Sequence, residues 1–428
     1  MKCVPASKEK TEDELLDVVE SGTHNKIPLG PSERRLKSRY LWISFIIMMF
    51  GMAIVGLSFG LLLNKDDTKK ITEESELIAG EDADAASEED SAEATLSPYL
   101  EINKKIFDAA VELVQRTPRQ YLDMPNYGET LSYREYNIGQ PFDLVMLPGL
   151  GGDDTWTALL AVLPEFQDHH IISINPVGWY GSTMNTPITN HADHADMIMD
   201  LLDSILPTPE KPVMAMGYST GGGIAFYLAL KYPERISHAF LFHSIPLDGL
   251  RFPPDFVNGG HQEFATVEQI EAVVQMQKVD DPKVWYSMLK LFSIYPELYP
   301  AEDHGMAQYL KESNMGMPGV LEATLANAAF NVCPIKTPFS DPSDVLSNLR
   351  SKIVVIHGSQ DTICLAEQME SLIKLAIVER WAPEGLLSYY DDAEGHMVLL
   401  EKPSVAGNIY RKAFGEQVLG LSREETRT

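Results

Sequence analysis

The second part of the chain alternates short apolar runs with segments of helical period, and this alternation is what most constrains the fold. The apolar runs predict strands at 131–138, 142–147, 170–175, 212–217, 237–243, 353–358 and 385–392. Helical segments stand between several of them, at 157–163, 190–206 and 221–233. Strands joined through helices pair in parallel and are covered on both faces. The sequence therefore predicts an α/β fold with a mostly parallel central sheet flanked by helices.

The range 252–346 interrupts this alternation. It is rich in Met, Tyr and Pro, contains helical and irregular segments, and shows no strong strand run. We interpret it as a helical cap insertion within a folded domain that covers 98–428.

An uncharged apolar run occupies residues 41–63. A helix of 23 residues reaches roughly 34 Å, which is enough to cross the apolar core of a bilayer. A buried soluble helix would show a polar face, and a cleaved signal peptide would be shorter and nearer the start of the chain. The run therefore predicts a single-pass transmembrane helix of the signal-anchor type.

The basic residues that flank this run give its orientation. Those before it are Arg34, Arg35, Lys37 and Arg39, and those after it are Lys65, Lys69 and Lys70. Four basic residues precede the run and three follow it, and the side with more basic residues usually faces the cytoplasm. This predicts a cytoplasmic N-terminus and a folded domain on the lumenal or extracellular side. The lack of an N-x-[ST] sequon favours the opposite orientation, which stays open. Gly56 and Gly60 form a G-x-x-x-G pattern that could pair helices, although small residues are also common in membrane helices.

The segments around the predicted membrane helix are polar. Residues 1–40 form a tail without lasting periodicity, and residues 64–97 hold twelve Asp and Glu and no aromatic residue, which predicts a disordered acidic linker. The net charge of −28 argues against binding of nucleic acid. The three cysteines are too few and too widely spaced for a disulfide scaffold or a zinc motif.

The motif G-x-S-x-G at 217–221 is the strongest indication of chemistry in the chain. It directly follows a predicted strand and directly precedes a predicted helix, which is the context that this motif requires for a nucleophilic serine. The glycines permit a sharp turn, and the start of the helix favours developing negative charge. Ser219 is therefore the candidate nucleophile.

A serine nucleophile needs a general base and a group that orients this base. Asp361 follows the strand at 353–358, and His396 follows the strand at 385–392. The order Ser, acid, His is the one that accompanies the motif. Taken singly, Asp361 could be a turn residue and His396 a surface loop residue. Asp248 is the reserve candidate for the acid.

At these residues the chain resembles the α/β-hydrolase fold family, specifically its capped, serine esterase-like and lipase-like branch. The resemblance covers 128–414 and includes the motifs GSQD and GHMVLLEKP. LPGLGG (147–152) resembles the oxyanion loop of that family, with Pro148 in place of the usual His. The resemblance implies an α/β-hydrolase fold.

The resemblance also implies the roles of the site residues. Ser219 would be the nucleophile, Asp361 the orienting acid and His396 the general base. The backbone N–H groups of Leu150 and Thr220 would form the oxyanion hole, and no metal or organic cofactor is implied.

Other residues allow two interpretations. Trp156, Tyr218 and Met397 are predicted to line the substrate pocket, although core packing could also explain such residues. The run HADHAD (191–196) could suggest a metal site, but it fits better as the polar first turns of a helix.

These residues predict a membrane-anchored serine hydrolase that cleaves a carboxylic ester through an acyl-enzyme. The substrate would be a small molecule or a lipid. An amidase, a carbon–carbon-bond hydrolase or an acyltransferase on the same triad, and a non-catalytic binding module of the same fold, are the alternatives.

Overall fold

The computed structural model describes residues 86–208, 211–245, 286, 289–290, 293–315, 317–319, 322–323, 350–361, 363–364, 386–391 and 395–419. The predicted tail, the predicted transmembrane helix 41–63 and the linker up to residue 85 lie outside these ranges. Within them, no helix combines the length and the apolar character needed to cross a bilayer. The membrane anchor therefore stays a prediction from the sequence.

The first described element is a long helix, α1 (Ala86–Arg116), which begins inside the predicted linker. The predicted linker and α1 thus overlap at residues 86–97. Ala and Glu are strong helix formers, and acidic side chains are favourable near a helix N-terminus. The later turns of α1 also bury apolar residues at helical spacing, including Ile106, Phe107 and Ala110, and this packing stabilises the helix.

Eight strands form one sheet in the order β1-β2-β4-β3-β5-β6-β7-β8. Their bounds are β1 Gln120–Met124, β2 Glu129–Tyr136, β3 Phe142–Leu147, β4 His169–Asn175, β5 Val213–Tyr218, β6 Ile236–Phe242, β7 Lys352–Gly358 and β8 Leu386–Asp391. β2 pairs antiparallel with β1 and with β4. The later pairings are parallel, from β4 across the sheet to β8. The predicted α/β class with a mostly parallel sheet is confirmed.

Each predicted strand is present, with its ends within two residues of the prediction. One observed strand, β1, was not predicted from the sequence. It is a sheet edge with mostly exposed side chains and therefore carries no apolar run.

Six further helices have both ends within the described residues. They are α2 Ala158–Ala161, α3 His191–Ile205, α4 Thr220–Lys231, α5 Gly305–Met315, α6 Val398–Glu401 and α7 Pro403–Gln417. Short 3-10 turns lie at Pro164–Phe166 and Pro296–Leu298. The side chain of Asn190 caps α3 by accepting a hydrogen bond from the N–H of Asp193 at 2.9 Å. HADHAD therefore opens a capped helix, as predicted.

The sheet has an apolar core on each face. In β3, Leu144 and Met146 belong to a core shared with α1 and α7, whereas Val145 and Leu147 belong to one shared with α3 and α4. This alternation follows from the two-residue period of a strand. Because both faces are buried, the carboxyl edge of the parallel strands is where loops can form a site.

The predicted cap range 252–346 is described only in part. Its described residues include α5, which packs beside α1: a Cβ added to Gly305 would lie 3.2 Å from the Val111 side chain. Met306, Ala307 and Leu310 join the core on the α1 face of the sheet.

Candidate active site

Ser219 lies at the junction between β5 and α4. Its backbone has φ 52° and ψ −119°, a conformation that L-residues rarely adopt. Glycines on both sides make this turn possible. A Cβ on Gly217 would lie 2.0 Å from the carbonyl oxygen of Gly221, and a Cβ on Gly221 would lie 2.3 Å from that of Leu147. The strand and helix can therefore meet this closely only because both positions are glycine.

Ser219, His396 and Asp361 form a continuous chain of hydrogen bonds. His396 Nε2 lies 3.1 Å from Ser219 Oγ, and His396 Nδ1 lies 2.8 Å from Asp361 Oδ2. All three residues are buried, with Ser219 the most accessible at 8% exposed. The structure thus brings together three residues that the sequence separates by up to 177 positions. The arrangement is that of a nucleophile, a general base and an orienting carboxylate.

Asp361 is held by more donors than His396 alone. Its Oδ1 accepts hydrogen bonds from the backbone N–H groups of Ile363 at 2.9 Å and Cys364 at 2.8 Å. His243 Nδ1 lies 3.1 Å from the same Oδ2 that contacts His396. Burial opposes the charge on Asp361, but the charge of His396 and the hydrogen bonds from both histidines outweigh it and hold the pKa of Asp361 well below its ordinary value. Asp361 is therefore ionised over the working pH range of such a site.

The predicted oxyanion loop passes directly beside the nucleophile. A Cβ on Gly149 would lie 3.0 Å from Ser219 Cβ, so the backbone before Leu150 is in close contact with Ser219. Trp179 fixes this loop by donating its indole N–H to the carbonyl of Gly149 at 3.1 Å. Thr220, the other predicted oxyanion residue, is the first residue of α4 and is fully buried. Both predicted residues are therefore near Ser219: Leu150 follows the loop residue that contacts it, and Thr220 is the next residue in the chain.

Residues of the predicted cap hold the next position of the loop. The N–H of Gly151 points to Met317 Sδ at 3.4 Å. The Ser313 hydroxyl lies 3.1 Å from the carbonyl oxygen of Gly151 and 3.0 Å from that of Leu310, so these two carbonyls share its one proton. Gly151 has φ 76°, which a glycine adopts without strain. The described part of the cap thus supports the loop that carries Leu150.

An arginine anchors the far end of the same loop. Arg119 Nε donates to Asp154 Oδ2 at 2.8 Å, and its Nη2 donates to Asp153 Oδ2 at 2.8 Å. Both aspartates are buried. Burial and the neighbouring Asp154 raise the pKa of Asp153 to about 7 in spite of Arg119. Asp154 also pairs with Arg134, whose Nε lies 3.2 Å from Asp154 Oδ2. Two arginines thus hold the two buried aspartates, and loss of either ion pair would be costly because the carboxylates are buried.

The three residues predicted to line the pocket are all buried. Trp156 and Tyr218 border a cavity of about 20 Å³, which is close to the size of one water molecule. The hydroxyl of Tyr218 donates to the backbone carbonyl of His396 and lies 3.8 Å from Met397 Sδ. In the structure these residues pack behind the site and brace the loop of His396. Their contact with substrate stays a prediction.

Within the described ranges, one group of His, Cys, Asp and Glu side chains comes close enough to hold a metal ion, and it consists of His243, Asp361 and His396. Hydrogen-bond distances of 2.8 and 3.1 Å already account for this arrangement. HADHAD contributes no residue to that group. Asp248, the reserve acid, lies outside the described residues.

Sequence reasoning did not find His243, Arg119 or Ser313 as parts of the site. Only His243 gave a usable signal, because it follows β6 at the edge of the sheet where Ser219 and Asp361 lie. No pattern in the sequence links Arg119 or Ser313 to the predicted oxyanion loop, because their contacts with it join segments that are far apart in the chain.

Comparison with known proteins agrees with this geometry. Residues 144–284 match the family model of the alpha/beta hydrolase fold. A curated relative is the dihydrolipoyllysine-residue acetyltransferase component of the acetoin cleaving system of Cupriavidus necator, 24% identical over 264 residues. The match covers 60% of this chain and 62% of that protein, so the chain spans less than two thirds of the relative's length.

Solved structures with the same fold come from several sources. A serine hydrolase from Cycloclasticus zankles is 18% identical, with a TM-score of 0.52 and coverage of 70% of this chain and 99% of its own. A structure from Nitrososphaera gargenis, reported in a study of carboxylesterases, is 16% identical, with a TM-score of 0.51 and coverage of 71% of this chain and 100% of its own. A membrane phospholipase A, described as a bacterial virulence factor, is 15% identical, with TM-score 0.53 and coverage of 82% and 100%. At these identities the likeness shows the fold alone.

The sheet order, the turn at Ser219 and the matched segment together define the class. The chain has the α/β-hydrolase fold. This confirms the resemblance that the sequence predicted.

Proposed function

We propose that this protein is a serine hydrolase that cleaves carboxylic esters through an acyl-enzyme. The observation that carries the proposal is the hydrogen-bond chain from Ser219 through His396 to Asp361, with Ser219 on a strained turn at the start of α4. A strained backbone costs free energy, and such strain is concentrated at functional sites, so its presence at Ser219 supports a catalytic role.

The reaction follows from this geometry. His396 Nε2 takes the proton of Ser219 as Oγ attacks the carbonyl carbon of the ester. Asp361 fixes the tautomer of His396 and stabilises the imidazolium that forms. The N–H groups of Leu150 and Thr220 stabilise the oxyanion, an effect of about 3–4 kcal/mol for one donor in comparable sites.

The tetrahedral intermediate then collapses. His396 gives its proton to the leaving alcohol oxygen, and the acyl group stays on Ser219. A water molecule, deprotonated by His396, attacks the acyl-enzyme and releases the carboxylic acid. Transfer to an acceptor other than water would make the same site an acyltransferase, and the acetyltransferase name of the curated relative keeps that alternative in view.

The proposal includes a membrane anchor at residues 41–63, with the N-terminus in the cytoplasm and the hydrolase domain on the other side. It rests on the 23 uncharged apolar residues and the flanking basic residues. An anchor would keep the site near lipid, so a lipid ester is the preferred substrate class. Digestion of the domain by a protease added to the cytoplasmic side of sealed vesicles would reject this orientation.

The proposal is tested with the full chain and its Ser219→Ala variant on p-nitrophenyl esters of increasing acyl length. We expect wild-type turnover and a loss of at least about a thousandfold in the variant, because no other group replaces the nucleophile. Ser204→Ala, which changes an exposed serine on α3, is the matched control and keeps wild-type turnover. Equal turnover by wild type and Ser219→Ala would overturn the proposal.

A further inference from the structure

A second histidine contacts the carboxylate of the triad. His243 directly follows β6, is 1% exposed, and places its Nδ1 3.1 Å from Asp361 Oδ2. His396 Nδ1 lies 2.8 Å from the same oxygen atom. Two imidazoles therefore share one carboxylate oxygen.

The protonation of this cluster follows from elementary hydrogen bonding. An ionised carboxylate can only accept hydrogen bonds, so both His243 and His396 present an Nδ1–H to Asp361. Oδ1 of Asp361 already accepts from two backbone N–H groups. Among the described residues, Asp361 thus has four donors, and His243 is the side-chain donor that the proposed hydrolytic mechanism does not use.

The backbone holds His243 in this place. The residue has φ 43°, a left-handed conformation that non-glycine residues rarely adopt. Its N–H donates to the carbonyl of Ile356 in β7 at 2.8 Å, and two residues later the N–H of Ile245 donates to the carbonyl of Ser219 at 3.2 Å. Strained residues persist where the surroundings fix them, and they cluster at functional sites. Ser219 and His243 are both such residues, so the turn after β6 is tied to the turn that carries the nucleophile.

We propose that His243 is a positioning residue that shares Asp361 with His396 and sets the basicity of the catalytic histidine. This inference rests on the proposed function. A donor on Oδ2 withdraws negative charge from the oxygen that stabilises the His396 imidazolium. His396 therefore stays neutral, and able to act as a base, down to a lower pH than it would beside an Asp361 that lacked His243.

The groups that face His243 agree with this role. Its ring stacks on His357 of β7 with centroids 5.2 Å apart, and burial lowers the pKa of His357 to about 4, so this neighbour is neutral. Tyr218 of β5 lies 6.4 Å away, and burial raises the pKa of its hydroxyl well above the ordinary value. Burial also raises the pKa of the Cys364 thiol, which follows Asp361 in the same loop. Within the described part of the chain, Asp361 is thus the charged group that faces His243, and His396 is the base that responds to it.

The test measures the pH dependence of kcat/KM for the full chain on the best p-nitrophenyl ester, for wild type, His243→Leu and His243→Asn. The acid limb of this profile reports the pKa of the free general base. We expect His243→Leu to move the acid limb up by about 0.5–1 pH unit and to lower kcat/KM by about tenfold at the plateau. His243→Asn keeps an N–H donor and a residue type that accepts positive φ, so it moves the limb less.

His238→Leu is the matched control, because it removes a half-buried histidine from the same strand without touching Asp361. Its acid limb stays at the wild-type pH. An unchanged acid limb in folded His243→Leu would overturn the inference. If His243→Leu does not fold, His243→Gly takes its place, because glycine accepts the positive φ at this position and also lacks the donor. An unchanged acid limb in folded His243→Gly then overturns the inference. A wild type that shows neither turnover nor labelling by a fluorophosphonate contradicts the proposed function rather than this inference.

Discussion

At the scale of single residues, glycines decide whether the catalytic turn can exist. Gly221 illustrates this, since its missing side chain leaves room for the carbonyl oxygens of Leu147 and Pro148 at the end of β3. Backbone atoms in the middle of a sheet cannot move aside as a flexible side chain can. The position therefore tolerates glycine alone, and the reason is space rather than backbone conformation.

Substituting Gly221 by Ala separates these two reasons. A Cβ there would lie 2.3 Å from one carbonyl oxygen, so we expect a loss of about 3 kcal/mol or more in the free energy of unfolding, and a loss of activity. Gly139→Ala is the control: it has φ +91° and nothing within 4 Å, so only the backbone strain of about 1 kcal/mol applies. Urea unfolding of both variants measures the difference. Equal losses would show that steric exclusion at Gly221 is not what preserves the turn.

The sequence predicted the three triad residues because each follows a strand at the same edge of a parallel sheet. Chain order and strand ends are visible in a sequence, so the meeting of Ser219, Asp361 and His396 in one hydrogen-bond chain could be predicted from it. The contact of His243 with Asp361 joins residues 118 positions apart through one ring nitrogen. Such a contact depends on the turn after β6, where φ becomes positive, and no residue pattern encodes that turn.

At the scale of elements, the described part of the predicted cap contacts the predicted oxyanion loop. Ser313 of α5 and Met317 after it hold the carbonyl and the N–H of Gly151, next to Leu150. The sequence placed a cap in this range but could not link it to the loop. The sequence analysis also predicted no helix at α1. The acidic composition of its first turns indicated a linker, although those residues are also helix formers.

Removing the hydroxyl of Ser313 tests this connection. In Ser313→Ala the buried carbonyl of Gly151 loses its donor, and the loop that presents Leu150 shifts. We expect kcat to fall about tenfold with little change in KM, because the lost interaction acts on the oxyanion and not on the bound ester. Ser313→Thr retains the hydroxyl and should recover most of kcat. Ser293→Ala, at another cap serine, is the control. An unchanged kcat in Ser313→Ala would show that the Ser313 hydroxyl does not position the predicted oxyanion loop.

At the scale of the whole molecule, buried neutral histidines make stability depend on pH. Burial lowers the pKa of His169, His194 and His357 to about 4 in each case. The unfolded chain binds protons at these groups below about pH 6.5, whereas the folded protein does not until about pH 4. The free energy of unfolding therefore falls as the pH falls through this window, and the loss is complete below it.

His194 gives the clearest case, because desolvation alone causes its shift. Between pH 6.5 and 5 this histidine should account for about 2 kcal/mol of the lost stability. His194→Phe, which keeps an aromatic ring beside Trp179, should reduce the pH dependence by that amount. Met197→Leu on the same helix removes no titrating group and keeps the wild-type slope. Urea unfolding at pH 6.5 and pH 5 measures the free energy of unfolding of each variant. An unchanged pH dependence in His194→Phe would contradict the contribution assigned to His194.

Covalent labelling tests whether Ser219 is an activated nucleophile without knowledge of the substrate. The full chain is treated with a fluorophosphonate, and mass spectrometry locates the adduct. We expect a single adduct on Ser219, absent from Ser219→Ala and retained in Ser204→Ala. A folded wild-type protein that takes no adduct, or a Ser219→Ala variant that still takes one, would contradict it.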